Sequence, residues 1–198
     1  MVRKVKTEGN MRKIVAIVGD SKIEKDGDKY KFAFSVGKAL VDNGYRLQSG
    51  GLGGVMEAAF AGARSSEKYT EGDTIAIIPS FDRTMHNEYA DIVISTGLDM
   101  MRNAIVANAD AVIAVGGGAG TLSEIAFAWP MMRLIMACDC VDGWSSKVAG
   151  MKMDHRVRYE DIPEDRVYGV STAEDVIAIL DKYADKYNKF HKGIVIGS

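Results

Sequence analysis

The chain has 198 residues, 47% of them apolar and 26% charged, with a formal net charge of −2. That is enough chain for one packed core, and the near-neutral balance carries no electrostatic footprint for nucleic acid or an anionic membrane. No apolar run is long enough to span a bilayer and no stretch has a signal-peptide layout, so the expected setting is the cytoplasm.

Residues 1–11 are expected to be a flexible leader ahead of a single domain over residues 12–198. The leader holds the basic cluster Arg3, Lys4 and Lys6, and Met11 offers an alternative start. Lys13–Gly19 is a short β-branched apolar run that predicts a buried strand, followed by a turn at Asp20-Ser21. Lys29–Asn43 has helical spacing, with Phe32, Val36, Leu40 and Val41 on one face and Gly44 as its stop. Tyr45–Ser49 predicts a second strand, and Gly50–Gly54 leads into a helix over Val55–Ala63. Strands follow at Thr74–Pro79 and Asp91–Ser95, then a helix at about Met100–Asn108 and a fifth strand at Ala111–Val115. After "GGGAG" comes a helix with Leu122, Ile125, Ala126 and Trp129 as its core-facing stripe, ended by Pro130. Leu134–Cys138 is strand six, Ser145–Gly150 a short helix, and Asp154–Asp165 a charged surface loop. Val167–Val170 is the last strand and Thr172–Lys189 the last helix.

Strands alternating with helices, and apolar on both faces, predict a doubly wound parallel sheet in a three-layer α/β/α, Rossmann-like single domain. The cysteines, Cys138 and Cys140, would share a strand face but make neither a disulfide framework nor a zinc site. The histidines stand apart from one another, and no metal site is expected.

Two glycine-rich turns follow strands, Gly50–Gly54 and Gly116–Gly120. In a parallel sheet such turns lie at the carboxyl edge, where ligands bind. Glycine lets a ligand approach the backbone, and the next helix offers unpaired N–H groups that suit phosphate. Gly50, Gly51, Gly53, Gly54, Gly116, Gly117, Gly118, Gly120 and Thr121 are therefore candidate phosphate-binding residues; tight strand–helix packing is the competing explanation. The dinucleotide and Walker fingerprints do not fit: a G-x-G-x-x-G begun at Gly51 meets Met56, and one begun at Gly116 meets Thr121.

Thr121-Leu122-Ser123-Glu124 has capping-box spacing, as does Ser171-Thr172-Ala173-Glu174. Spacing leaves Glu124 open between a cap and a functional carboxylate. Arg102 is either a solvated helix arginine or a phosphate clamp, and Asn103 either donates to a ligand or caps.

"SGGLGGVMEAAFAGA" (49–63), "MRNAIVANADAVIAVGGGAGTLSEIAFAW" (101–129) and "DGWSSKVAG" (142–150) together resemble the SLOG superfamily of Rossmann-like proteins. They are most similar to the branch of the molybdenum cofactor carrier proteins, and are also similar to the LOG phosphoribohydrolases. The hydrolase motif is P-G-G-x-G-T-x-x-E with an Arg-Lys pair on the preceding helix. Gly117, Gly118, Gly120, Thr121, Glu124 and Arg102 match it, whereas Gly116 replaces the proline and Asn103 the lysine. The resemblance implies a small phosphorylated ligand, a nucleoside monophosphate or the molybdenum cofactor, with no other cofactor required. It implies either hydrolysis of a nucleoside 5′-monophosphate, with Glu124 and Arg102 catalytic, or a non-catalytic carrier or nucleotide sensor. Base-reading side chains are expected on a loop such as Ser80–Glu88. A homodimer or higher homo-oligomer is also expected, with Met100, Met101, Trp129, Met131 and Met132 either core or interface.

Overall fold

The computed structural model describes residues 11–191, so Arg3, Lys4 and Lys6 of the expected leader lie outside the described residues. Strands β1 (Ile14–Gly19), β2 (Arg46–Ser49), β3 (Thr74–Ile78), β4 (Ile92–Ser95), β5 (Ala111–Val115), β6 (Leu134–Cys138) and β7 (Val167–Val170) form one sheet, ordered β4-β3-β2-β1-β5-β6-β7. Every neighbouring pair is parallel. The helices are α1 (Asp28–Asp42), α2 (Val55–Arg64), α3 (Asn103–Ala107), α4 (Ala119–Ala128), α5 (Trp144–Val148) and α6 (Ala173–Tyr183).

The chain builds outward from β1 to β4 and then returns to lay β5 against the other side of β1, with Gly19 opposite Val115. The winding reverses at this pair, so the loops after β1 and β5 part and leave a crevice above the strand ends.

Alternate strand residues face opposite layers. Val15, Ile17, Ile113 and Met136 pack with α1, α2 and α6. Ala16, Val18, Val112, Ala114 and Ile135 pack with α3, α4 and α5. Each large side chain fully buried this way contributes about 1.5–3 kcal/mol. The stripe Phe32, Val36, Leu40 and Val41 buries α1 as its spacing predicts. Its Gly37 lies so close to α2 that a Cβ there would stand 1.9 Å from the Ala59 carbonyl.

Several expectations fail locally. No helix joins β3 to β4, so this edge lacks cover, and Ile92 and Ile94 are 44% and 46% exposed. The helix expected over Met100–Asn108 is a 3₁₀ turn (Asp99–Arg102) that hands over to α3. On α4 the buried apolar residues are Ile125 and Ala128, followed by Trp129; Ala126 faces solvent. The cap at α6 sits one residue later than its spacing suggests: Thr172 accepts from the Asp175 N–H, and the Asp175 carboxylate accepts from the Thr172 N–H. The charged stretch 154–165 is the irregular surface segment expected, but Arg158, Tyr159, Ile162 and Asp165 anchor it inward as a strap. Its Arg158 and Asp165 form a buried bidentate pair, and Arg158 also donates to the carbonyls of Trp129 and Arg133. Two of the charges that suggested solvent have found each other inside, while Arg156, Glu160 and Asp161 remain exposed.

Candidate functional site

A cleft of about 450 Å³ opens at the β1/β5 switch point. The strand ends supply its base: Gly19 to Ser21 after β1, and Gly118, Gly120 and Thr121 after β5. Leu52, Met56, Pro79 and Met100 add an apolar side, and Arg102, Asn103 and Glu124 a polar one.

The start of α4 forms one wall. Gly118 is its N-cap and no side chain caps it, so the N–H groups of the first turn are left for another acceptor. Gly118, Ala119 and Gly120 are exposed there. The helix begins earlier than a Thr121 cap would require. Thr121 already has helical neighbours on both sides, so its hydroxyl cannot take the capping position, and Glu124 lies a further turn along. Of the two readings that spacing left open for Glu124, the cap is thereby ruled out.

Glu124 instead meets Arg102. Arg102 Nη1 donates to Glu124 Oε1 at 3.1 Å and to Asn103 Oδ1 at 2.9 Å. Asn103 Nδ2 donates to Ser123 Oγ at 2.9 Å, and Ser123 Oγ donates to the Gly120 carbonyl at 2.7 Å. The arginine is thus tied through two side chains to the first turn of α4. Arg102 and Glu124 are 7% and 6% exposed, which excludes a solvated helix arginine. Burial pushes the Glu124 carboxyl up to about 7, against the opposing pull of Arg102. Burial also lowers the guanidinium from its ordinary value, with Glu124 opposing. The guanidinium still carries its proton at neutral pH, and its buried Nε has no partner among the described residues.

The two glycine turns occupy different positions. Gly50 and Gly51 are buried behind the polar wall, and a Cβ on Gly50 would lie 2.4 Å from Arg102 Nη2. Gly53 and Gly54 press against the Asp20-Ser21 loop, and Gly54, at φ +68°, has room for no Cβ beside the Asp20 carbonyl. Gly116 and Gly117 make a locked turn. The Gly116 N–H donates to Ser145 Oγ at 2.8 Å, and the Gly117 N–H to Asp20 Oδ2 at 2.9 Å. Lys29 Nζ holds Asp20 at 2.8 Å and Asp142 at 2.9 Å. Both amides already have internal acceptors, so the free donors of this turn begin beyond Gly117. Among the candidates, the structure brings Arg102, Asn103, Gly118, Gly120, Thr121 and Glu124 into the cleft, whereas the remaining glycines do not line it.

Sequence reasoning missed Asp20, Lys29 and Ser145, which hold the turn, and Asp99, Pro79 and Met100 at the rim, where side chains of Ser80–Glu88 were expected. Gly19-Asp20-Ser21 at the end of an apolar strand was a third carboxyl-edge turn, legible once β1 is taken as central. Of the methionine and tryptophan set, Trp129 is core, donating its indole N–H to Asp154, whereas Met100 and Met101 are 67% and 64% exposed.

Residues 12–167 match the model of the SLOG cluster4 family. An uncharacterized protein of Archaeoglobus fulgidus is 44% identical over 106 residues, covering 53% of this chain and 67% of that relative. The solved molybdenum cofactor binding protein of the phototrophic bacterium Rippkaea orientalis is 31% identical, with a TM-score of 0.70 over 87% of this chain and 98% of that one. The molybdenum cofactor carrier protein of Chlamydomonas reinhardtii is 24% identical, with a TM-score of 0.67 over 86% and 98% of the two chains, a likeness that shows the fold alone.

Proposed function

The chain belongs to the SLOG cluster4 family, and on that premise we propose that it binds and carries a small phosphorylated ring compound, a phosphopterin of the molybdenum cofactor type or a nucleotide, without turning it over. One observation carries this reading: the uncapped start of α4 lines the same cleft as a buried arginine whose Nε has no partner among the described residues. N–H groups at a helix start and a guanidinium fork are both phosphate donors. The apolar side formed by Leu52, Met56, Pro79 and Met100 suits a flat ring, and the cleft volume lies within the roughly 300–1,000 Å³ of small-molecule sites. The similar protein of Rippkaea orientalis is named for binding the molybdenum cofactor, which supports the pterin form of the proposal. If that cofactor binds, Gly118, Gly120, Thr121 and Arg102 would hold its phosphate, and its metal chemistry would be its own. The test is mass spectrometry of small molecules released from the natively purified protein, together with equilibrium dialysis. A phosphopterin or nucleotide is expected, with affinity falling at least about tenfold in Arg102→Ala. Absence of both a released compound and any phosphate-dependent binding defeats the reading.

A second reading has one observation in its favour. Glu124, raised to about 7 within the cleft, can take up and release a proton near neutral pH. On that reading the protein hydrolyses the N-glycosidic bond of a nucleoside 5′-monophosphate. Glu124 would face the oxocarbenium-like charge on the ribose and act on water, while Arg102 would neutralise phosphate. A panel of nucleoside monophosphates assayed for base release separates the readings. Turnover that disappears in Glu124→Ala supports hydrolysis, and no release by wild type rejects it.

Self-association is a further part of the proposal. β4 leaves Ile92 and Ile94 exposed, and Met101 and Ile105 are exposed as well. A second copy covering these residues would remove them from water. Sedimentation is expected to show a homo-oligomer that Ile94→Glu converts to monomer; a wild-type monomer at micromolar concentration overturns it.

A further inference from the structure

We propose that Cys138 and Cys140 form a reversible disulfide whose closure loosens the hold on the Gly116–Gly117 turn. β6 ends at Cys138, and the chain then bends so that the two sulfurs lie 3.3 Å apart. A disulfide needs about 2.05 Å, so closure asks for a shift of little more than an ångström. The two thiols are unequal: Cys138 is buried and Cys140 exposed. Cys140 lines a separate cavity of about 430 Å³ that also holds Lys22, Glu24, Lys29 and Asp142. That cavity offers charges of both signs to a small zwitterionic disulfide.

The chemistry runs inward from the surface. The Cys140 thiolate attacks one sulfur of the small disulfide RSSR, forms a mixed disulfide and expels RS⁻, which takes a proton. Cys138 then gives up its proton and attacks Cys140 Sγ, and the second RS⁻ leaves and is protonated. The protein loses two protons and two electrons, and RSSR becomes two RSH. Burial pushes the Cys138 thiol up to about 12, so Cys138 takes the second role and not the first.

The pair is joined to the turn from two directions. The Cys138 carbonyl accepts from Ser145 Oγ at 2.7 Å, and Ser145 Oγ accepts the Gly116 N–H at 2.8 Å. Two residues past Cys140, Asp142 holds Lys29 at 2.9 Å, Lys29 holds Asp20 at 2.8 Å, and Asp20 accepts the Gly117 N–H at 2.9 Å. Both turn amides therefore rest on the segment that ring closure would bend.

The test uses oxidised glutathione on the reduced full-length protein, followed by acid quench, alkylation and peptide mapping. Wild type is expected to become an intramolecular Cys138–Cys140 disulfide that dithiothreitol reverses. Cys138→Ser is expected to stop at a glutathione adduct on Cys140, and Cys140→Ser to stay unmodified. Wild type that stops at the adduct, or that links two chains through Cys140, overturns the disulfide. Hydrogen exchange at Gly116 and Gly117 is expected to quicken by roughly tenfold or more in the oxidised form. Unchanged exchange overturns the coupling. Neither measurement requires a bound ligand.

Discussion

Arg102 and Glu124, 22 residues apart in sequence, close a buried ion pair 3.1 Å long beside the first turn of α4. The pair joins the helix that precedes β5 to the helix that follows it, and the Asn103–Ser123 hydrogen bond is a second link between them. Removing Glu124 leaves a charged guanidinium buried alone, whereas removing Arg102 leaves a carboxyl that burial keeps protonated. Glu124→Ala is expected to cost about 3–5 kcal/mol. Urea denaturation at neutral pH measures it. The double variant Arg102→Ala/Glu124→Ala should recover part of the loss, and strict additivity would show that the two groups are uncoupled.

The same pair makes stability depend on pH. The folded-state pKa of Glu124 is about 7, above its ordinary 4.5. Between those values the folded protein holds the proton more tightly than the unfolded chain. Its contribution is therefore full below pH 4.5 and is lost as pH rises through 7. Relative to Glu124→Gln, wild type should lose up to about 3 kcal/mol across that window. Urea titrations of both proteins at several pH values give the difference curve, and a flat curve contradicts the shift.

Gly50 and Gly118 make a paired test. A methyl on Gly50 would lie 2.4 Å from Arg102 Nη2, whereas one on Gly118 meets nothing within 4 Å. Gly50→Ala should displace the arginine, cost about 1–3 kcal/mol and weaken phosphate binding. Gly118→Ala loses a favoured N-cap residue and should cost about 1 kcal/mol or less, so a larger effect on binding comes from the cleft. Equal destabilisation by both would reject this division of roles.

Asp165 anchors the strap. It accepts from Arg158 through both oxygens and from the Tyr187 hydroxyl at 2.6 Å. Asp165→Ala strands a buried guanidinium and is expected to cost about 3–5 kcal/mol. Exposed Glu160→Ala on the same strap should fall within about 0.5 kcal/mol. Thermal and urea melts of the two variants give the comparison.

The strands and the longer helices were legible because periodicity reports burial, and the buried face of α1 follows its spacing. The cleft was half legible. Gly118, Gly120 and Thr121 could be found as a strand-to-helix turn, but the same pattern could not say that Gly116 and Gly117 have given their amides to Ser145 and Asp20. Those acceptors lie 29 and 97 residues away, and no local pattern carries such a pairing.

By itself the sequence determined the alternation of strands and helices, hence a parallel sheet with its glycine turns at one edge, because these features depend on residues near one another in the chain. Only the tertiary structure decided that Glu124 is not a helix cap and pairs with Arg102. Spacing allowed a cap or a free carboxylate, and the answer came from where α4 begins and from an arginine on another element. That choice rests on desolvation and on a partner distant in sequence, and both exist only once the chain has folded.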